Sequence, residues 1–103
     1  MVQYGMTITS IALSGLNAAQ TRLNTAAHNI ANSQTEGFHR QRVQQTALPQ
    51  GGTSVSVSTS ETPGADLIQD TVDSMASLYA FRANTMVLKT HDRMLGTLLD
   101  TKV

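Results

Sequence analysis

Along the first third of the chain, apolar residues recur at Ile8, Ile11, Ala12, Leu16, Ala19, Leu23, Ala26, Ala27 and Ile30. Leu16, Leu23 and Ile30 keep an interval of seven, with Ala12, Ala19 and Ala26 offset from them. This spacing predicts an amphipathic helix of coiled-coil type over roughly residues 7–32. Its other positions hold uncharged polar groups such as Asn17, Gln20, Asn24, His28 and Asn29. Such groups can face water or be hydrogen-bonded in a crowded contact, and burying them costs far less than burying Lys or Glu. The helix is therefore expected to be surrounded on most sides in its working state. Asn32 and Ser33 compete for nearby backbone groups, and Gly37 tolerates the positive φ of a sharp change of direction, so the helix should stop near residues 31–33. Phe38 is then the first large apolar anchor, folding the emerging chain back.

From His39 to Ser60 the helical period disappears. "RVQQTAL" is followed by "PQGG" and then by "TSVSVSTS", where Val55 and Val57 alternate with hydroxyls. Alternation of this kind predicts a half-buried strand, and the two runs predict a hairpin turning around Gly51-Gly52. A lone hairpin is marginal in water, so it must lean on a helix or a neighbour.

"ETPGA" at residues 61–65 punctuates the chain, and Asp66 is a natural N-cap for a second helix over about Asp66 to Asp100, roughly 50 Å at about 1.5 Å per residue. One apolar stripe on it contains Ile68, Val72, Met75, Tyr79 and Met86. Another contains Phe81, Leu88, Leu95 and, displaced by four, Leu99. A single shorter partner helix can cover only one of them, and the surplus predicts association with other chains.

The pattern defines a mainly α fold with two long terminal helices paired as an antiparallel coiled-coil hairpin. Its sections are residues 1–38, a connector over 39–65 and the long helix over 66–103. Leu16, Leu23, Ile30, Phe81, Leu88, Leu95 and Leu99 are expected to carry the seam, within the chain or between subunits, with Tyr79, Met94 and Leu98 added for assembly.

Composition supports a thin helical assembly over a globule. The chain has 103 residues, no Trp, two Phe and two Tyr, so large core anchors are scarce. The absence of Cys removes disulfides, thiol catalysis and thiolate metal sites together. Seven basic and seven acidic residues give zero formal net charge, so no bulk field favours nucleic acid or an anionic membrane. Charge is unevenly placed: residues 1–35 contain Arg22 alone, which denies the first helix a normal solvated face. The stretch Met1 to Met6 has no basic region or apolar block of signal-peptide type, and no run approaches the roughly 18–20 apolar residues of a membrane span. Export, if it occurs, is expected to use another route, without direct membrane insertion.

Candidate chemistry is sparse. His28, His39 and His91 form no His-x-x-x-His or Glu-x-x-His arrangement, and no Gly-x-Ser-x-Gly elbow surrounds any serine. No catalytic residue, metal ligand or cofactor site is expected. His39, Arg40 and Arg42 make a basic cluster too small for nucleic acid. Pairing with acids of a neighbouring subunit, Asp70 or Asp73, is the better expectation.

Two stretches resemble the bacterial flagellar axial family of rod, hook and hook-associated proteins. "SGLNAAQTRLNTAAHNIANSQTEGFHRQRV" is similar to that family's first-helix motif, in which a helix ends in Asn-Ile-Ala-Asn before a Thr-x-Gly-aromatic turn. Asn29, Ile30, Ala31, Asn32, Thr35, Gly37 and Phe38 carry the match. "YAFRANTMVLKTHDRMLGTLLDTKV" is similar to the family's C-terminal helix, through Tyr79, Ala83, Asn84, Leu88, Met94, Leu95 and Leu98. The resemblance implies terminal helices that polymerise into the inner tube of the axial structure. It implies a non-enzymatic structural role in the flagellar basal body, and a minimal member most like the proximal rod proteins. Its expected partners are itself, other flagellar rod and hook proteins, and the flagellar type III export apparatus. Export by that route would carry it across the periplasm without a cleaved signal peptide. A helical adaptor or regulator that binds axial proteins without being built in is the alternative.

Overall fold

The computed structural model describes the backbone of residues 7–102 and the side chains of residues 7–98. Helix α1 spans Ile8–Ala31, strand β1 Gln41–Ala47, strand β2 Thr53–Thr59 and helix α2 Leu67–Lys102. The particle is thin, with extents of 64 × 26 × 13 Å. It is mainly helical, with two long helices packed on each other and the hairpin between them, the architecture expected from the residue pattern.

Local chemistry fixes each boundary. Thr7 caps α1, its hydroxyl accepting from the Ser10 amide at 3.1 Å. Asp66 caps α2 in the same way, Oδ1 accepting from the Gln69 amide at 3.1 Å, so two otherwise orphaned N-terminal donors are satisfied. At the far end of α1 the Asn32 side chain donates to the His28 carbonyl at 2.9 Å, alongside the Asn32 amide at 3.1 Å. The chain then makes successive turns, Thr35 N to Asn32 O and Phe38 N to Thr35 O. Gly37 takes φ +73° there, the left-handed region that glycine enters without steric cost. Phe38 folds back on the helix it has left, its ring 5.5 Å from that of His28.

The helices run antiparallel. Asn29 near the end of α1 meets Asp70 at the start of α2, Gly15 lies against Asn84, and Ile8 shares a shallow apolar depression with Val87, His91 and Met94. At the Gly15 crossing a Cβ would stand 2.5 Å from Asn84 Oδ1. The Asn84 side chain cannot retreat freely, because its Nδ2 donates to the Ala80 carbonyl at 2.8 Å. Glycine is what lets the helices approach at this level.

The buried apolar residues are Ala12, Ala18, Ala19 and Ala26, and the buried side chains that α2 contributes are Asp70 and Ser77. The pair is therefore held by close approach of small residues. Leu16, Leu23, Phe81 and Leu88 are half-buried, while Ile30, Tyr79, Met94, Leu95 and Leu98 are exposed. The Leu99 side chain lies outside the described residues.

Candidate functional site: a polar lock and an outward apolar face

The hairpin pairs Gln41 with Thr59 and Ala47 with Thr53, with Val43 opposite Val57. Its contacts with the helices are made on α1. Bonded pairs at Arg40/Ser60 and Leu48/Gly52 bracket it. Bonded and non-bonded pairs alternate in an antiparallel ladder, so even-numbered residues bond across it and the backbone groups of odd-numbered residues point outward. Two of these outward positions are capped by α1. At the base, Asn29 Oδ1 accepts from the Gln41 amide and Nδ2 donates to the Gln41 carbonyl, both at 2.9 Å. One side chain thereby stands in for a neighbouring strand. At the tip, the Thr53 amide donates to Ser14 Oγ at 3.1 Å, and Gly51 packs on Ile11. Helix α1 thus crosses beneath the hairpin obliquely, from the outer edge of β2 at the tip to that of β1 at the base.

Asn29 is 2% exposed and Asp70 1%. The Asn29 amide also reaches Asp70 Oδ1 at 3.3 Å. Arg40 closes the network with Nε on Asp70 Oδ2 at 3.3 Å and a terminal nitrogen on Oδ1. The hydrogen bond to Asp70 raises the Arg40 pKa further, against the opposing effect of burial, so the guanidinium stays charged. Arg40 was expected to pair with an acid of a neighbouring subunit. It pairs within its own chain, because the antiparallel helix register carries Asp70 to the foot of β1. A weaker, half-buried pair, Arg22 with Asp73 at 3.8 Å, lies along the same side. Between them a polar cleft of about 590 Å³ opens between the edge of β1 and the start of α2. His39 Nδ1 meets the Ser60 carbonyl at 2.8 Å, so that nitrogen carries the proton.

Asn29, Asn32, Thr35, Gly37 and Phe38 thus converge on one junction, where α1 ends, the hairpin begins and α2 docks. Ile30 and Ala31 sit on its exposed flank. The roles of Arg40, Asp70 and Gly15 are additions from the structure. Arg40 and Asp70 lie 30 positions apart, and what the fold adds to their expected pairing is that it closes within one chain.

The outer surface of α2 completes the picture. Ile68, Val72, Met75, Tyr79 and Met86 are all more than half exposed, from 53% at Val72 to 80% at Ile68. At about 100° per residue, this stripe lies on the side of α2 opposite Asp70, Ser77 and Asn84. Helix α2 therefore turns Asp70, Ser77 and Asn84 to α1 together with half-buried Phe81 and Leu88, and the large apolar stripe from Ile68 to Met86 outward. Among the described residues no group of three or more His, Cys, Asp or Glu could hold a metal ion, and no helix is long and apolar enough to cross a membrane.

A helix pair locked by buried hydrogen bonds and carrying an apolar outer face is a structural module. Residues 10–39 match the family model described as flagella basal body rod protein. The match runs from the first turn of α1 through Asn29–Asn32 and the turn at Gly37 to His39. Comparison with curated proteins gives no match.

Proposed function

We propose that the chain is a non-enzymatic structural subunit of the rod-like axial part of the flagellar basal body. In this reading it polymerises through its two helices with itself and with other rod and hook proteins. The observation that carries it is the two-sided α2: the polar lock, the small residues and half-buried Phe81 and Leu88 face α1, and the exposed stripe of Ile68, Val72, Met75, Tyr79 and Met86 remains for neighbours. Contiguous apolar surface of this kind marks an interaction site. Delivery by the flagellar type III apparatus, across the periplasm and without a cleaved signal peptide, completes the proposal.

The test is quantitative mass spectrometry of purified hook–basal bodies against a known rod component. Recovery at a comparable number of copies is the expected result. Absence, with the protein present in the same cells, would overturn incorporation and leave the adaptor role.

A further inference from the structure

Strand β2 reads Thr-Ser-Val-Ser-Val-Ser-Thr and is a palindrome about Ser56. It carries no charge, proline or bulge of the kind that protects natural sheet edges. Its outer edge is also uncovered from Val55 to Thr59. The Thr53 amide is taken by Ser14, but among the described residues no group bonds the outward main chain of Val55, Val57 or Thr59. The outer edge of β1 is less available. Asn29 caps it at Gln41, and the remainder faces α2 across the polar cleft.

We propose that a second copy of this chain pairs with β2 edge to edge, antiparallel about a two-fold axis through Ser56, making one continuous sheet ordered β1-β2-β2-β1. The ladder's phase permits this register. The groups of Val55 and Val57 point outward, and a two-fold at Ser56 sets Val55 of one copy opposite Val57 of the other, so the two exchange both main-chain bonds. Ser54 then faces Ser58 and Ser56 faces itself, both as non-bonded pairs, while Thr53 faces Thr59 with its amide still on Ser14 and only its carbonyl left to pair. Each contact joins like side chains of equal size, and no charge meets its own kind. Neither β1 strand meets the partner, so the arrangement closes as an isologous dimer. A two-fold pair cannot extend a polar tube through the same edge, so the dimer belongs to the chain outside the assembled structure. The inference does not rest on the rod reading, which uses α2.

The chain contains no cysteine, so single thiols report the register directly. Ser54, Ser56 and Ser58 are exposed, and substitution there leaves the packing on α1 untouched. Facing residues of a non-bonded pair have Cα atoms about 4.5 Å apart, inside the disulfide range of about 4.4–6.8 Å. Two Ser54 positions would be displaced by roughly 13 Å along the strands and out of reach. Under mild oxidation of the purified full chain, Ser56→Cys is expected to form disulfide-linked dimer roughly tenfold faster than Ser54→Cys or Ser58→Cys alone. An equimolar mixture of those two should cross-link as Ser56→Cys does. Equal rates at all three positions, or a Ser56→Cys chain that stays monomeric, would overturn the pairing.

Discussion

Arg40→Ala is expected to lower the stability of the isolated chain by about 3–5 kcal/mol, because it strands a buried carboxylate. Asp70 is 1% exposed and anchored on the first turn of α2, so it cannot swing to water as an arginine could. Without Arg40 its remaining side-chain donor is the Asn29 amide at 3.3 Å. For a chain of about this length, 3 kcal/mol corresponds to a melting midpoint lower by at least about 12 °C, measurable by circular dichroism at neutral pH. Joint substitution of Arg40 and Asp70 by residues of matching shape should cost less than Arg40→Ala alone, because no charge is then left buried. A variant melting within experimental error of the parent would show that the network is not what joins α1, α2 and the hairpin.

Tyr79→Asp probes the opposite side of the same helix and should have the opposite profile. Tyr79 is 63% exposed, so an aspartate there is solvated in the free chain and the melting curve should barely move. Against an apolar neighbour the charge would be desolvated at a cost of several kcal/mol; about 3 kcal/mol is already a factor of more than about 100 in association. The variant is therefore expected to be made at normal levels and to disappear from purified hook–basal bodies. Recovery at parental copy number would remove the apolar stripe from the assembly mechanism. Together the two variants separate folding from assembly, one face of the structure for each.

Much of the fold is legible in the sequence because its signals are local. The capping side chains of Asp66 and Asn32, the glycine at 37 and the alternating valines of β2 each act within a few residues of themselves. The polar part of the face that α2 turns to α1 was not legible in the same way. Hydrophobic periodicity draws attention to large residues; one stripe of them points outward, while on the contact face half-buried Phe81 and Leu88 are joined by Asp70, Ser77 and Asn84, which it does not mark. A seam of alanine, glycine and short polar groups brings helix backbones close without a strong apolar pattern. Asn29 shows the same limit at a single residue. Its place in the Asn-Ile-Ala-Asn motif suggests a role in the turn, and its structural task is to cap a strand edge 12 positions away and touch a carboxylate on the other helix. The symmetry of β2 is plain in the sequence, but it gains meaning only once the phase of the ladder shows which groups face outward.

The measurement that tests the central claim most directly is thiol accessibility at a single cysteine introduced as Val72→Cys, compared between the free chain and purified hook–basal bodies. Val72 is 53% exposed and lies in the middle of the outward stripe. The account predicts rapid labelling of the free chain by a small maleimide and strong protection once the chain is built in, because axial neighbours then cover that face. Equal labelling in both states would contradict it, leaving the apolar side of α2 uncovered in the very structure it is proposed to build.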